Sequence, residues 1–191
     1  MGHAGLQLVS DMYMQELCER LIQRFDCDQV VHQKADLSLL RVDKDKLEST
    51  LFYLKTHEGF VHLSFVTVID YIEDDIFRLS YMLHNYDSKS DLAVQAEISR
   101  TASTMHSIHH LWAQAWTYQR ELKEMYGIDF PGSPRVNDEF CLEGWDGPPP
   151  MLRDFDTAKF CEERFVDREG RESQDIKQTM RENLYPERGE S

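Results

Sequence analysis

No run in this chain approaches the roughly twenty apolar residues that a bilayer-crossing helix requires. The opening MGHAGLQLVSD has no basic stretch followed by a hydrophobic one, so no cleaved leader is expected and the protein is expected to stay where it is made. Cysteine is scarce: Cys18, Cys27, Cys141 and Cys161 form no CxxC pair, and buried, reduced thiols are the expectation, as in a reducing cytoplasm. Basic residues are few, 21 against 35 acidic, for a formal charge of -14, and no Lys/Arg run offsets that balance. Phosphate backbones and anionic lipid surfaces are repelled by such a chain, which argues against nucleic acid or a membrane surface as partner. There is no Gly-rich phosphate loop, no GxSxG elbow, no ordered Cys-His motif and no internal repeat. Nothing is therefore placed to hold a nucleotide, a flavin or an iron-sulfur cluster.

What is present suffices for one sizeable core and an appendage, given 191 residues. Ser10 or Asp11 can cap a first helix whose apolar positions Met14, Leu17, Leu21, Ile22 and Phe25 follow helical spacing. Two short β-prone runs, 29–33 and 37–42, suggest an opening strand pair. Asp43 can cap a second helix over 44–57, with Leu47, Leu51 and Leu54 inward and Gly59 past its end. The runs 60–72 and 76–85 flank a polar turn at Asp74 and Asp75 and read as a hairpin. Phe77, Leu79, Tyr81 and Leu83 alternate with polar neighbours, and so do Leu92, Val94, Ala96 and Ile98 in a further strand. The expected fold class is α/β (α+β): a mixed sheet of about four to six strands, the N-terminal helices on one face, then a late aromatic helix, an extended arm and a charged tail. The corresponding boundaries are 1–130 for the globular part, 131–157 for the arm and 158–191 for the tail. The tail is too charged to order alone and is expected free or draped over a partner, with room for a helix near 173–183.

The stretch 107–155 contains all three tryptophans and all but one of the prolines. Its periodicity predicts a helix over 107–126, capped by Ser107 and ended by Gly127. Leu111, Ala115, Tyr118, Leu122 and Met125 form one stripe, and Trp112, Ala115, Trp116 and Gln119 an adjacent one. A second apolar stripe asks for a second covering surface. The glycines and prolines that follow exclude regular helix or central strand, yet Phe130, Phe140, Leu142, Trp145, Met151, Leu152 and Phe155 are costly to leave in water. The segment reads as an ordered arm that packs on something.

Three constellations invite chemistry, each beside a plainer account. His106, His109 and His110 at i, i+3 and i+4 of a helix would aim two imidazoles at one metal, although no further ligand is placed by spacing. The plainer account is histidines at the helix start or in solvent. Arg120, Glu121 and Glu124 could supply catalytic carboxylates, but an i, i+4 ion pair between Arg120 and Glu124, or bracing of the arm, accounts for them more simply. Trp112 reads as core and Trp145 as an interface anchor.

The ordered set Tyr118, Arg120, Glu121, Glu124, Met125, Tyr126, Gly127 and Phe130, then Gly132 and Pro134, then Trp145, Gly147, Pro149, Arg153, Asp154 and Phe155 resembles the signature of a known family. It is similar to the C-type subunits of the NADH-quinone oxidoreductases, the 30-kilodalton-type subunit of respiratory complex I, with relatives in membrane-bound nickel-iron hydrogenases and formate hydrogenlyases. Three departures stand out: Gln119 replaces the first glutamate of the family's cluster, Ser133 replaces a histidine often found there, and one residue is inserted near Pro150. The run from Gly147 to Phe155 is closer to the hydrogenase-type branch.

The resemblance implies a non-catalytic scaffold subunit without catalytic residues, metal or cofactor of its own. It would dock on a large subunit of the quinone-site or nickel-iron type and on a small iron-sulfur subunit, beside other peripheral-arm subunits. Iron-sulfur clusters, with nickel-iron or flavin, would then lie in those partners, and the chain would sit peripherally on the cytoplasmic face of the membrane. Trp112 and Trp116 join the motif residues as candidate docking positions. The alternatives are a free-standing enzyme with a His/Glu site in 106–124 and an acidic adaptor unrelated to electron transfer.

Overall fold

The computed structural model describes residues 3–27, 29–34 and 36–164. The chain divides into two compact units, Met1–Phe155 and Asp156–Ser191. The tail beyond 164, including the stretch near 173–183 with room for a helix, lies outside the described residues.

In the first unit, helix α1 (His3–Phe25) precedes strands β1 (Gln29–Lys34) and β2 (Leu37–Arg41), helix α2 (Lys44–His57), strands β3 (His62–Tyr71), β4 (Ile76–Asn85) and β5 (Ser90–Ser99), and helix α3 (Ala115–Tyr126). The five strands form one mixed sheet in the order β1-β2-β5-β4-β3. β2 and β5 run parallel and the other pairs antiparallel. A parallel neighbour needs a long crossover, and it is supplied by α2 and the β3-β4 hairpin, after which β5 enters between β4 and β2. The Asp43 side chain accepts the amide of Asp45 and so caps α2, as its sequence predicts. The hairpin turns at Asp75, which takes a left-handed conformation with φ 55°.

The alternation in β4 and β5 is borne out: Phe77, Leu79, Tyr81, Leu83, Leu92, Val94, Ala96 and Ile98 are all buried. They meet Met14, Leu17 and Leu21 of α1, Leu47, Leu51 and Leu54 of α2, and Ala115 and Leu122 of α3 in one core. All three helices thus cover the same sheet face. Trp112, 6% exposed, also belongs to this core.

Four expectations need correction. First, α1 begins at His3, so Ser10 and Asp11 lie inside it rather than at its start. Such residues favour caps but are tolerated in a helix interior where no proline interrupts. Ile22 is exposed, because Met14, Leu17 and Leu21 already define the inward stripe and Ile22 lies one step around from it. Second, the aromatic helix spans only Ala115–Tyr126; residues 107–114 form turns and irregular backbone. Ser107 does not cap it, because its hydroxyl donates to Gln119 instead. Third, burial of the thiols holds for Cys18 alone: Cys27 is half-buried and Cys141 and Cys161 are exposed. Cys141 lies in the arm and Cys161 in a charged helix, neither of which offers apolar cover. Burial pushes the Cys18 thiol up to about 11. Fourth, the second unit holds a short helix α4 (Thr157–Arg164) that its charge density conceals. The carboxylate of Asp156 accepts the amide of Lys159 and caps it, a start signal present in the sequence.

Candidate functional site

The candidate residues gather where α3 meets the segment 131–155, within the first unit. Gly127, with φ 77°, ends α3 in the left-handed conformation expected of it. A Cβ there would also crowd the arm, standing 3.2 Å from Cγ of Pro149. Two motif positions far apart in sequence therefore touch. Beside them the amide of Met151 donates to the carbonyl of Met125 at 3.0 Å.

Glu124 holds the middle of the arm. Its carboxylate accepts three consecutive backbone N–H groups, from Phe140 at 2.6 Å, Cys141 at 2.9 Å and Leu142 at 3.0 Å. Partial burial alone would raise this carboxyl, but the three amides outweigh it and hold the group below the usual carboxylate range. The i, i+4 ion pair between Arg120 and Glu124 does not form, because the amides occupy the carboxylate. Arg120 instead lies between two rings, 5.1 Å from the Trp116 centroid and 5.3 Å from that of Phe140, and so ties helix to arm by cation-π contact. Glu121 stays half-exposed on the same helix.

Gln119 is fully buried, and its Oε1 accepts the hydroxyls of Ser107 at 2.8 Å and Ser133 at 2.7 Å. Two of the three departures from the family signature, Gln119 and Ser133, are thus in direct contact. Where the signature has a glutamate and a histidine, this chain has a neutral amide and a hydroxyl.

The far end of the arm is fastened to the sheet. Asp70, at the end of β3, is only 2% exposed through its side chain and lies 2.8 Å from Nε of Arg100. One of its oxygens also accepts the backbone amide of Arg153 at 3.0 Å. Arg100 reaches Asp154 at 2.9 Å, and the Arg153 guanidinium reaches Glu73 at 2.7 Å. The hydrogen bond from Arg100 holds the Asp154 carboxyl below its ordinary range. Trp145 donates from Nε1 to the carbonyl of Pro148 and packs against Phe155, with centroids 6.0 Å apart. Phe130 is fully buried at the root of the arm, Gly132 turns it with φ 81°, and Pro134 is exposed. The Tyr126 ring meets Phe77 edge-on, and the Tyr118 hydroxyl donates to the carbonyl of Ser64 on edge strand β3. A cleft of about 310 Å³ between α3 and the arm is lined by Arg120, Glu124, Trp145, Gly147 and Pro149.

The sequence reading missed Asp70 and Arg100. A signal existed: Val66, Val68 and Asp70 share the buried parity of β3, and a carboxylate at a buried position needs a cation.

The histidines do not form a metal site. With 107–114 in turns and irregular backbone rather than helix, the i, i+3, i+4 geometry is absent; His109 contacts the Ser107 hydroxyl and His110 pairs with Glu48 at 3.0 Å. Among the described residues no group of three His, Cys, Asp or Glu side chains is placed to hold a metal.

The family described as "Respiratory-chain NADH dehydrogenase, 30 Kd subunit" matches residues 40–160. The C-type subunit of an NADH-quinone oxidoreductase from Moorella thermoacetica is 30% identical, over 76% of this chain and 94% of that protein. The C-type subunit of an F(420)H(2) dehydrogenase from Methanosarcina mazei is also 30% identical, over 60% of this chain and 73% of that protein. The fold is shared with a chain of the membrane-bound sulfane sulfur reductase, an archaeal respiratory membrane complex, with a TM-score of 0.75 and 20% identity over 85% of this chain and 98% of that one.

Proposed function

The chain belongs to the 30 kDa subunit family of the respiratory-chain NADH dehydrogenase, and from that premise we propose that it is a non-catalytic scaffold in the peripheral arm of a membrane-associated, electron-transferring complex. It docks on a large subunit of the quinone-site or nickel-iron type and on a small iron-sulfur subunit, next to other peripheral-arm subunits. The redox centres, iron-sulfur clusters with nickel-iron or flavin, belong to those partners. The chain sits peripherally on the cytoplasmic face, and no helix among its described residues is long and apolar enough to cross a membrane.

The observation that carries this reading is the state of the arm. It is irregular and rich in proline, yet it is held at its middle by Glu124 and at its end by Asp70 and Arg100, while Met151 stays 55% exposed. A segment ordered in advance loses less freedom on binding, and its exposed apolar groups become anchors. The free-standing enzyme loses its support, because Glu124, His109 and His110 already serve structural partners and do not converge.

The test is purification of the tagged full-length chain from its native host in mild detergent, followed by mass spectrometry and metal analysis. Recovery with a large and a small oxidoreductase subunit and with iron is expected, and nickel would select the hydrogenase branch. Recovery as a lone monomer or homo-oligomer overturns the reading.

A further inference from the structure

The helices of the first unit all pack on one sheet face, and the other face has an unusual make-up. The strand registers place Phe65 opposite Met82, Met82 opposite Ala93, Ala93 opposite Leu39 and Leu39 opposite Val31. One apolar row therefore crosses all five strands on the side that no described helix of the first unit covers. A solvated sheet face ordinarily carries polar residues at such positions. Here Val31 is 40% exposed, Phe65 41% and Ile69 46%, so part of the row is open to solvent.

Next to this row lies a charge arrangement that says what the cover must contain. Arg41 and Arg78 both donate to the same oxygen of Glu97, each at 2.9 Å. Two guanidinium groups share one carboxylate, so the surface around Glu97 is locally positive, while Asp91 further along the same face is paired with His84 at 2.7 Å. A cleft of about 270 Å³ opens beside them, lined by Leu39, Arg41, Ile69, Arg78 and Gln95. Guanidinium groups take a carboxylate in a directed, two-pronged manner.

We propose that the uncovered sheet face is a second docking surface, which receives from a neighbouring subunit a segment with apolar side chains beside an aspartate or glutamate that pairs with Arg41 and Arg78. The proposal rests on the scaffold reading above and adds to it a surface distinct from the arm. The apolar row supplies contact area, and the arginines fix register and exclude partners that lack the acid.

The test is site-specific photo-cross-linking in the assembled complex. A photoreactive phenylalanine analogue replaces Phe65 or Leu39 in the tagged full-length chain, expressed in the native host and irradiated before purification. A cross-link to an Asp- or Glu-containing peptide of another subunit is expected, with a yield that falls on the order of tenfold when Arg78→Glu is added. Reversal of the partner's acidic residue to arginine should restore the yield. The proposal is overturned if the complex co-purifies but the probe reacts only with residues 156–191 of its own chain, with a second copy, with lipid, or with nothing. If no oxidoreductase subunit co-purifies even with the unsubstituted chain, the scaffold reading itself fails.

Discussion

Gln119 and Ser133, two departures from the family signature, meet directly in this chain, Ser133 donating to Gln119 at 2.7 Å. A glutamate at position 119 alone would place a carboxylate at a fully buried site with only two hydroxyl donors, at a cost of about 2 kcal/mol. Gln119→Glu and Ser133→His should each destabilise the chain, whereas the double variant should recover part of the loss, with a coupling of about 1–2 kcal/mol. Urea denaturation of the four proteins checks this, and simple additivity would show that the contact carries no exchange. Glu124 gives a pH-dependent prediction. Its carboxyl is depressed in the folded chain, so its contribution is present above the unfolded value of about 4.3 and is lost as pH falls through the lower folded value. Glu124→Gln should cost about 1–2 kcal/mol at neutral pH, for the amides it leaves less well paired. The gap between variant and parent should close in denaturation curves taken well below about pH 4.3; a constant gap would mean that charge plays no part.

At the scale of elements, the end of β3 works as a latch for the arm. Asp70→Asn removes the buried charge that faces Arg100 and receives the amide of Arg153, and should cost about 3 kcal/mol. Trypsin should then cut after Arg153 markedly faster than in the parent at the same protease ratio, and an unchanged digestion pattern would contradict the latch. This latch was not legible in the sequence, because it joins residues 83 positions apart. The strands were legible because apolar residues alternate cleanly from 76 to 98, and α2 because Asp43 and its leucine spacing agree. The start of the aromatic helix was not: Leu111 and Trp112 continue the helical spacing of Ala115 and Leu122, yet they are buried from turns and irregular backbone. Periodicity records which residues face the core and does not by itself record the backbone that carries them there. The brace by Glu124 stood among the alternatives for that residue, but its three amide donors lie 16 to 18 positions away, beyond the reach of any helical spacing rule.

For the molecule as a whole, the folded unit of residues 1–155 devotes one sheet face to its own core and leaves the arm and the other face for contacts outside it. On the proposed reading, a subunit built in this way offers two surfaces to its neighbours. Docking through the arm is tested most directly by hydrogen–deuterium exchange, comparing the purified chain with the assembled complex. Amides 140–142 should be slow in both states, because Glu124 already holds them. Those of Met151 and Arg153, already held by Met125 and Asp70, should likewise be slow in both states, whereas those of 143–147 should slow on assembly by about tenfold or more. Equal exchange of amides 143–147 in the free and assembled states would contradict docking through the arm.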